Sequence, residues 1–186
     1  DRQGLADNTL VVFTSDNGCS PQADFPFLTA RGHDPSDRRR GYKADIFDGG
    51  HRIPLIVRWP GRVAAGTRQD AFVCLGDFFA TCAEVLGKSL PPTVAEDSIS
   101  FLPLLQGRPV AASRDHLILH SINGSFAVRQ GKWKLELCPG SGGWSAPRPG
   151  RDATADLPRF QLYDLERDPG EQTNLVTAHP EVVQRL

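Results

Sequence analysis

Three places in this 186-residue chain carry residues able to do chemistry. Asp16 and Asn17 are adjacent and offer one carboxylate and one amide oxygen, with no sulfur or imidazole beside them. Hard oxygen donors of this kind suit Ca2+ or Mg2+ over zinc. Lys43 is a lone lysine ahead of an Asp48-Gly49-Gly50 corner, where an ammonium could meet an anion. His33, in Gly32-His33-Asp34-Pro35-Ser36, places an imidazole within a long polar excursion. Each has a plainer reading: Ser15-Asp16-Asn17-Gly18 is made of good turn formers, Lys43 suits a polar surface loop, and a loop histidine is usually solvated.

These residues depend on the elements that carry them. Leu10-Val11-Val12-Phe13 has no polar alternation, which predicts a strand buried on both faces, the habit of parallel sheets covered by helices. Asp16 and Asn17 follow at its carboxyl end, where open α/β sheets carry their ligand sites. Neighbouring residues on a strand point to opposite faces, so both reach one ion only if the chain has left the extended form by Gly18. Residues 19–40 show no sustained period and predict a long loop walling a substrate pocket, with Arg38, Arg39 and Arg40 as a solvated run, one of them turned toward an anionic substrate. A second apolar strand, Leu55-Ile56-Val57-Arg58, is closed by Trp59-Pro60-Gly61.

Thr14-Ser15-Asp16-Asn17-Gly18 and the stretch from Gly41-Tyr42-Lys43 through Asp48-Gly49-Gly50-His51-Arg52-Ile53-Pro54 to Trp59-Pro60-Gly61 resemble two signatures of the sulfatase family, in the family's order. The resemblance continues through residues 125–135 and 162–175, and leaves only residues 140–157 unmatched. It implies an α/β fold: the C-terminal part of an alkaline-phosphatase-like mixed-sheet domain over residues 1–110, then a small antiparallel subdomain with a terminal helix over residues 111–186. It further implies hydrolysis of a sulfate monoester on a small molecule or glycan, with a formylglycine nucleophile and Ca2+ or Mg2+. Asp16 and Asn17 would be metal ligands, Lys43 would lie against the sulfate oxygens as a catalytic and substrate-binding residue, and His33 would be a further substrate contact. The family suggests a periplasmic or secreted enzyme; the sequence itself assigns no compartment.

Departures from the pattern matter too. The (C/S)-x-P-x-R motif that supplies formylglycine is absent, as is the early aspartate pair of the metal site, so both are expected in a missing N-terminal part. Cys19-Ser20-Pro21-Gln22 has its proline one place early and no following arginine, and reads as loop. Asp48 stands where the family more often has glutamate. A chain without methionine, opening on what reads as the end of a helix, is expected to be cut inside a domain, inactive alone and of marginal stability. Two other classes stay open: a phosphodiesterase or phosphonate hydrolase of the same superfamily, and a non-catalytic remnant or binding module. Zinc phosphatases of that superfamily need imidazole where this chain has Asn17.

Composition bounds the rest. A hydrophobic share of 39% with 23% charged residues allows an ordinary globular core. A net charge of −1 gives no electrostatic reason for a nucleic-acid partner, and no apolar run approaches the ~18 residues a membrane span needs. The four cysteines have no zinc-finger spacing; Cys74 and Cys82 read as buried small hydrophobes. Helices are predicted over residues 77–87, with Phe78, Phe79, Cys82, Val85 and Leu86 inward, and over residues 100–107, capped by Ser100. Strands are predicted from about residue 112, among them a hairpin that turns at Gln130-Gly131, with Trp133 and Leu135 on the core face and the lysines on the wet one. Residues 140–150 predict a flexible loop, Asp168-Pro169-Gly170-Glu171 a type II turn, and His179-Pro180 a helix start.

Overall fold

A computed structural model describes residues 2–109 and 114–186; the expected division between residues 110 and 111 lies outside the described residues. The elements run β1 (Val11–Thr14), α1 (Phe25–Thr29), α2 (Asp48–His51), β2 (Leu55–Arg58), α3 (Asp77–Val85), α4 (Leu102–Leu105), β3 (His116–His120), β4 (Phe126–Gln130), β5 (Trp133–Glu136), β6 (Gln161–Asp164) and α5 (Pro180–Arg185). They form two compact units, one of Asp1–Thr14 with Pro54–Asp115, the other of Ser15–Ile53 with His116–Leu186. No helix is long and apolar enough to cross a membrane, among the described residues.

In the first unit β1 pairs antiparallel with β2, Val11 opposite Arg58 and Thr14 opposite Leu55. The expectation of a parallel strand buried on both faces is not met: Phe13 and Ile56 are each 62% exposed. An unbroken apolar run marks a strand that helices cover, and among the described residues this unit supplies no such cover.

Helix α3 also departs from its pattern. The side chains it buries are Asp77 and Thr81, whereas Phe79, Cys82 and Leu86 are exposed. Asp77 accepts hydrogen bonds from the Cys74 N–H (2.9 Å), the Ile99 N–H (2.9 Å) and Arg114 (2.5 Å). Thr81 Oγ1 donates to the Asp77 carbonyl and accepts from the Phe101 N–H. Polar anchoring of the following loop thus outranks the apolar stripe in fixing the helix's rotation. Burial pushes the Asp77 carboxyl up, but the Arg114 bond and the two backbone N–H donors outweigh it and hold the group below the usual range. Ser100 does act at the next helix, where its Oγ accepts from the Leu102 N–H (3.2 Å).

The second unit is built on the antiparallel meander β3-β4-β5-β6. In β5 the alternation predicted for one buried face is present, and both faces are covered. Leu135 joins Leu162 of β6 and Val182 of α5, with Trp133 and Leu175 packed around them. On the opposite face Ala127 of β4 meets Ile46 and Phe47 from the segment before α2. Lys134, expected in water, is therefore fully buried. Lys132 fits the expectation better, half-exposed and 2.7 Å from Asp164.

Two loops also differ from the prediction. Residues 140–143 are buried, so the Gly-rich stretch is packed at its start. The turn at residues 168–171 closes with the Glu171 N–H on the Asp168 carbonyl (3.1 Å), but the positive φ (50°) falls on Glu171 and not on Gly170, so it is not type II.

Candidate active site

The loop after β1 is laced to the segment that carries Lys43. Gly18 donates its N–H to the Gly50 carbonyl (2.9 Å), and Lys43 donates its N–H to the Cys19 carbonyl (2.9 Å). Glycine is required here by close approach, because a Cβ at Gly18 would collide with the Gly49 carbonyl. Gly49 and Gly50 are equally constrained, by the Arg40 and Asp45 carbonyls. The glycines of the two motifs are therefore contact surfaces for each other, which brings Asp16-Asn17 and Lys43 into one neighbourhood from positions more than two dozen residues apart.

Within that neighbourhood the predicted residues have their reactive atoms uncommitted. Asp16 is exposed and, among the described residues, takes only a long bond from Ser15 Oγ (3.5 Å). The Asn17 side-chain nitrogen donates to the Gly18 carbonyl (3.0 Å), which leaves the amide oxygen free to face a cation. Two residues supply at most three of the six or more oxygens such an ion takes. No group of three or more His, Cys, Asp or Glu residues able to hold a metal occurs among the described residues. The donors present thus fit a hard divalent cation in kind and not in number. The half-buried Lys43 has an ammonium with no hydrogen-bond or ion-pair partner among the described residues.

Local backbone holds Lys43 in a fixed bend. Gly41 (φ 75°) and Ala44 (φ 84°) flank its neighbourhood in the left-handed region, a costly choice for alanine that the surroundings enforce. The enforcing group is Asp45, 1% exposed. Its Oδ2 accepts from the Tyr42 N–H (3.0 Å), and its Oδ1 accepts from the N–H groups of Trp144 (2.7 Å) and Ser145 (2.9 Å).

A buried charge cluster, unforeseen from the sequence, secures α2. Lys134 Nζ lies 2.7 Å from Glu171 Oε1 and 3.3 Å from Glu136 Oε1, and donates to the Ile46 carbonyl (2.8 Å). Glu171 uses its other oxygen to accept the Asp48 N–H (2.7 Å) at the start of α2. Asp48 pairs with Arg129 (3.2 Å) and Arg39 (3.7 Å). Burial alone would raise the Asp48 carboxyl, but Lys134, Arg129 and further arginines hold it below the usual range. Burial pushes Glu136 well above the carboxylate range, Glu171 adds to this, and Lys134 opposes it without prevailing. Lys134 stays charged because the acidic groups around it, Glu171 first, outweigh its desolvation. His51, at the end of α2, is driven down to about 4 by burial and then by Lys134.

The other predicted residues sit apart from this arrangement. His33 is exposed and tied through its backbone N–H to the Leu28 carbonyl of α1 (3.1 Å), with no bond to the Lys43 segment among the described residues. Residues 19–40 hold α1 and a 3-10 turn (Pro21–Ala23) capped by Ser20, where a featureless loop was predicted. Of the arginine run, Arg39 pairs with Asp37 and Asp48, and Arg40 donates to the Glu171 carbonyl while lying over the Phe47 ring; both are structural and not solvated. The four cysteines are free thiols; Cys138 is the buried one, whereas Cys82 is exposed and Cys74 intermediate.

Two motifs that interlock through their glycines, ahead of an antiparallel sheet with a terminal helix, agree with the C-terminal part of an alkaline-phosphatase-like fold. The family model described as Sulfatase matches residues 1–88. The N-acetylgalactosamine-6-O-sulfatase of Bacteroides thetaiotaomicron is 37% identical over 98% of this chain and 35% of its own length. Human arylsulfatase A is 34% identical over 98% of this chain and 37% of its own. A solved B. thetaiotaomicron structure described under the metabolism of multiple glycosaminoglycans superposes with a TM-score of 0.79 at 35% identity, covering 98% of this chain and 38% of that one. The chain belongs to the sulfatase family and spans about a third of the length of the relatives it matches.

Proposed function

We propose that the protein hydrolyses sulfate monoesters, and that this chain contributes the Lys43 ammonium and two ligands of a divalent cation, Ca2+ or Mg2+, at Asp16 and Asn17. The observation that carries the reading is the backbone interlocking of the Asp16-Asn17 loop with the Lys43 segment, together with an ammonium and two hard oxygens that have no strong partner among the described residues. Relatives named for aryl and N-acetylgalactosamine sulfates support sulfated small molecules or glycans as the substrate class. A bound cation would neutralise charge on the sulfate. Lys43 would hold a sulfate oxygen and stabilise the negative charge that grows as the S–O bond breaks, without reorganising, because Gly41, Ala44 and Asp45 fix its backbone. The nucleophile is assigned to no residue of this chain; formylglycine is the family's solution. His33 is kept as a peripheral substrate contact at most.

A preorganised ammonium of this kind is worth roughly 3 to 4 kcal/mol of barrier, so Lys43→Ala should slow sulfate-ester turnover on the order of a hundredfold or more with metal content unchanged. Asp16→Ala should remove metal and activity together. Lys43→Ala kinetics within twofold of the parent protein would return this lysine to the surface. Stoichiometric zinc surviving Asp16→Ala would refute the metal assignment.

A further inference from the structure

Resting on the sulfate-ester reading, we propose that Trp144 is a stacking platform for a pyranose ring, so that the preferred substrate is a sulfated carbohydrate and not a simple aryl sulfate. The loop that carries Trp144 is built to hold one position. Its start at residues 140–143 is buried, the Ser141 carbonyl accepts the Ile46 N–H (2.7 Å), and Gly143 lies so close to Ala44 and Asp45 that a Cβ there would meet Asp45 Oδ1 at 2.6 Å. Asp45 then fixes the Trp144 and Ser145 N–H groups on the same carboxylate that fixes Tyr42, the residue before Lys43. Position along the loop is thus referred directly to the Lys43 bend.

The side chain so positioned reaches solvent. Trp144 is 39% exposed, and its ring has no hydrogen bond, ring stack or cation among the described residues. The other two tryptophans are each engaged: Trp59 lies under Arg62, and Trp133 meets both His179 (5.0 Å) and Lys132 (4.8 Å). A rigid loop that presents a free indole offers one large apolar face with a polar edge. An aryl group gains most where apolar walls enclose it. A partly exposed indole suits an amphipathic ring that stacks its C–H side and keeps its hydroxyls in water, which describes a sugar.

The test compares the full-length protein that carries this chain with its Trp144→Ala and Trp144→Phe variants, each first shown to melt within a few degrees of the parent. Probes are N-acetylgalactosamine 6-sulfate and 4-nitrophenyl sulfate, followed by turnover and by calorimetric binding. Trp144→Ala should raise KM and weaken binding for the sulfated sugar about tenfold with kcat little changed, Phe should restore most of the loss, and KM for the aryl ester should move less than twofold. Sugar binding by Trp144→Ala within twofold of the parent overturns the platform. An equal loss for both esters overturns the preference for sugar. Should the full-length protein that carries this chain hydrolyse neither ester, the sulfate-ester reading fails by itself, and the binding comparison still decides Trp144.

Discussion

Replacing Lys134 by methionine tests the buried charge cluster most directly. The substitution keeps chain length and apolar volume and removes one charge. Lys134 has no exposed surface, and its ammonium faces Glu171 at 2.7 Å, Glu136 at 3.3 Å and Asp48 at 3.9 Å. Without it Glu171 is left in the interior beside a second carboxyl, and the Ile46 carbonyl loses its donor. Removing one partner of a buried pair costs about 3 to 5 kcal/mol, most of it the penalty of the stranded charge. At about 2 to 4 °C per kcal/mol for a protein of this size, the melting temperature should fall by about 6 to 20 °C. The control is Glu136→Gln. Glu136 is already pushed toward its neutral form, so an isosteric amide should cost about 1 kcal/mol or less, whereas Glu171→Gln should cost several times more because it removes the charge opposite Lys134 and turns an NH2 toward one of the two donors, Lys134 Nζ or the Asp48 N–H. Chemical and thermal unfolding of the three variants reads the ranking. A loss below about 1 kcal/mol for Lys134→Met, or equal costs for Glu136→Gln and Glu171→Gln, would refute the assignment of charge within the cluster.

Two further outcomes follow from the same region. Because His51 has a folded pKa of about 4 against 6.5 unfolded, the unfolded chain binds more protons between those values; stability should fall as pH drops from 6.5 toward 4, by about 3 kcal/mol in all from this group, and an imidazole resonance of His51 titrating near 6.5 would disprove it. Gly18→Ala places a methyl against the Gly49 carbonyl, so it should cost about 3 kcal/mol or more and abolish sulfate-ester turnover, since the obstacle is backbone and cannot rotate away; a variant that melts and turns over like its parent would show that the two motifs are not interlocked.

Local signals made a good part of this protein legible. The Gly131 turn, the Pro180 helix start and the alternation of β4 and β5 each depend on neighbours in sequence, and the structure places elements there. Asp16, Asn17 and Lys43 stood out by type and by motif spacing. What sequence could not decide was which face of an alternating or periodic segment would be covered. Trp133-Lys134-Leu135-Glu136 reads as one dry and one wet face, yet Ile46 and Phe47 from nearly ninety residues earlier close over the second and turn an apparent solvent lysine into a buried counter-ion. Likewise α3 has an apolar stripe by spacing, and its rotation was settled by two polar anchors whose partners, Ile99 and Phe101, lie a full loop away. The apolar run of β1 was read correctly as a strand and wrongly as a buried parallel one, because pairing direction and cover come from other segments. Chain-local chemistry determined the elements and the reactive side chains; long-range packing decided their surroundings, since burial and charge pairing are properties of what arrives from elsewhere in the fold.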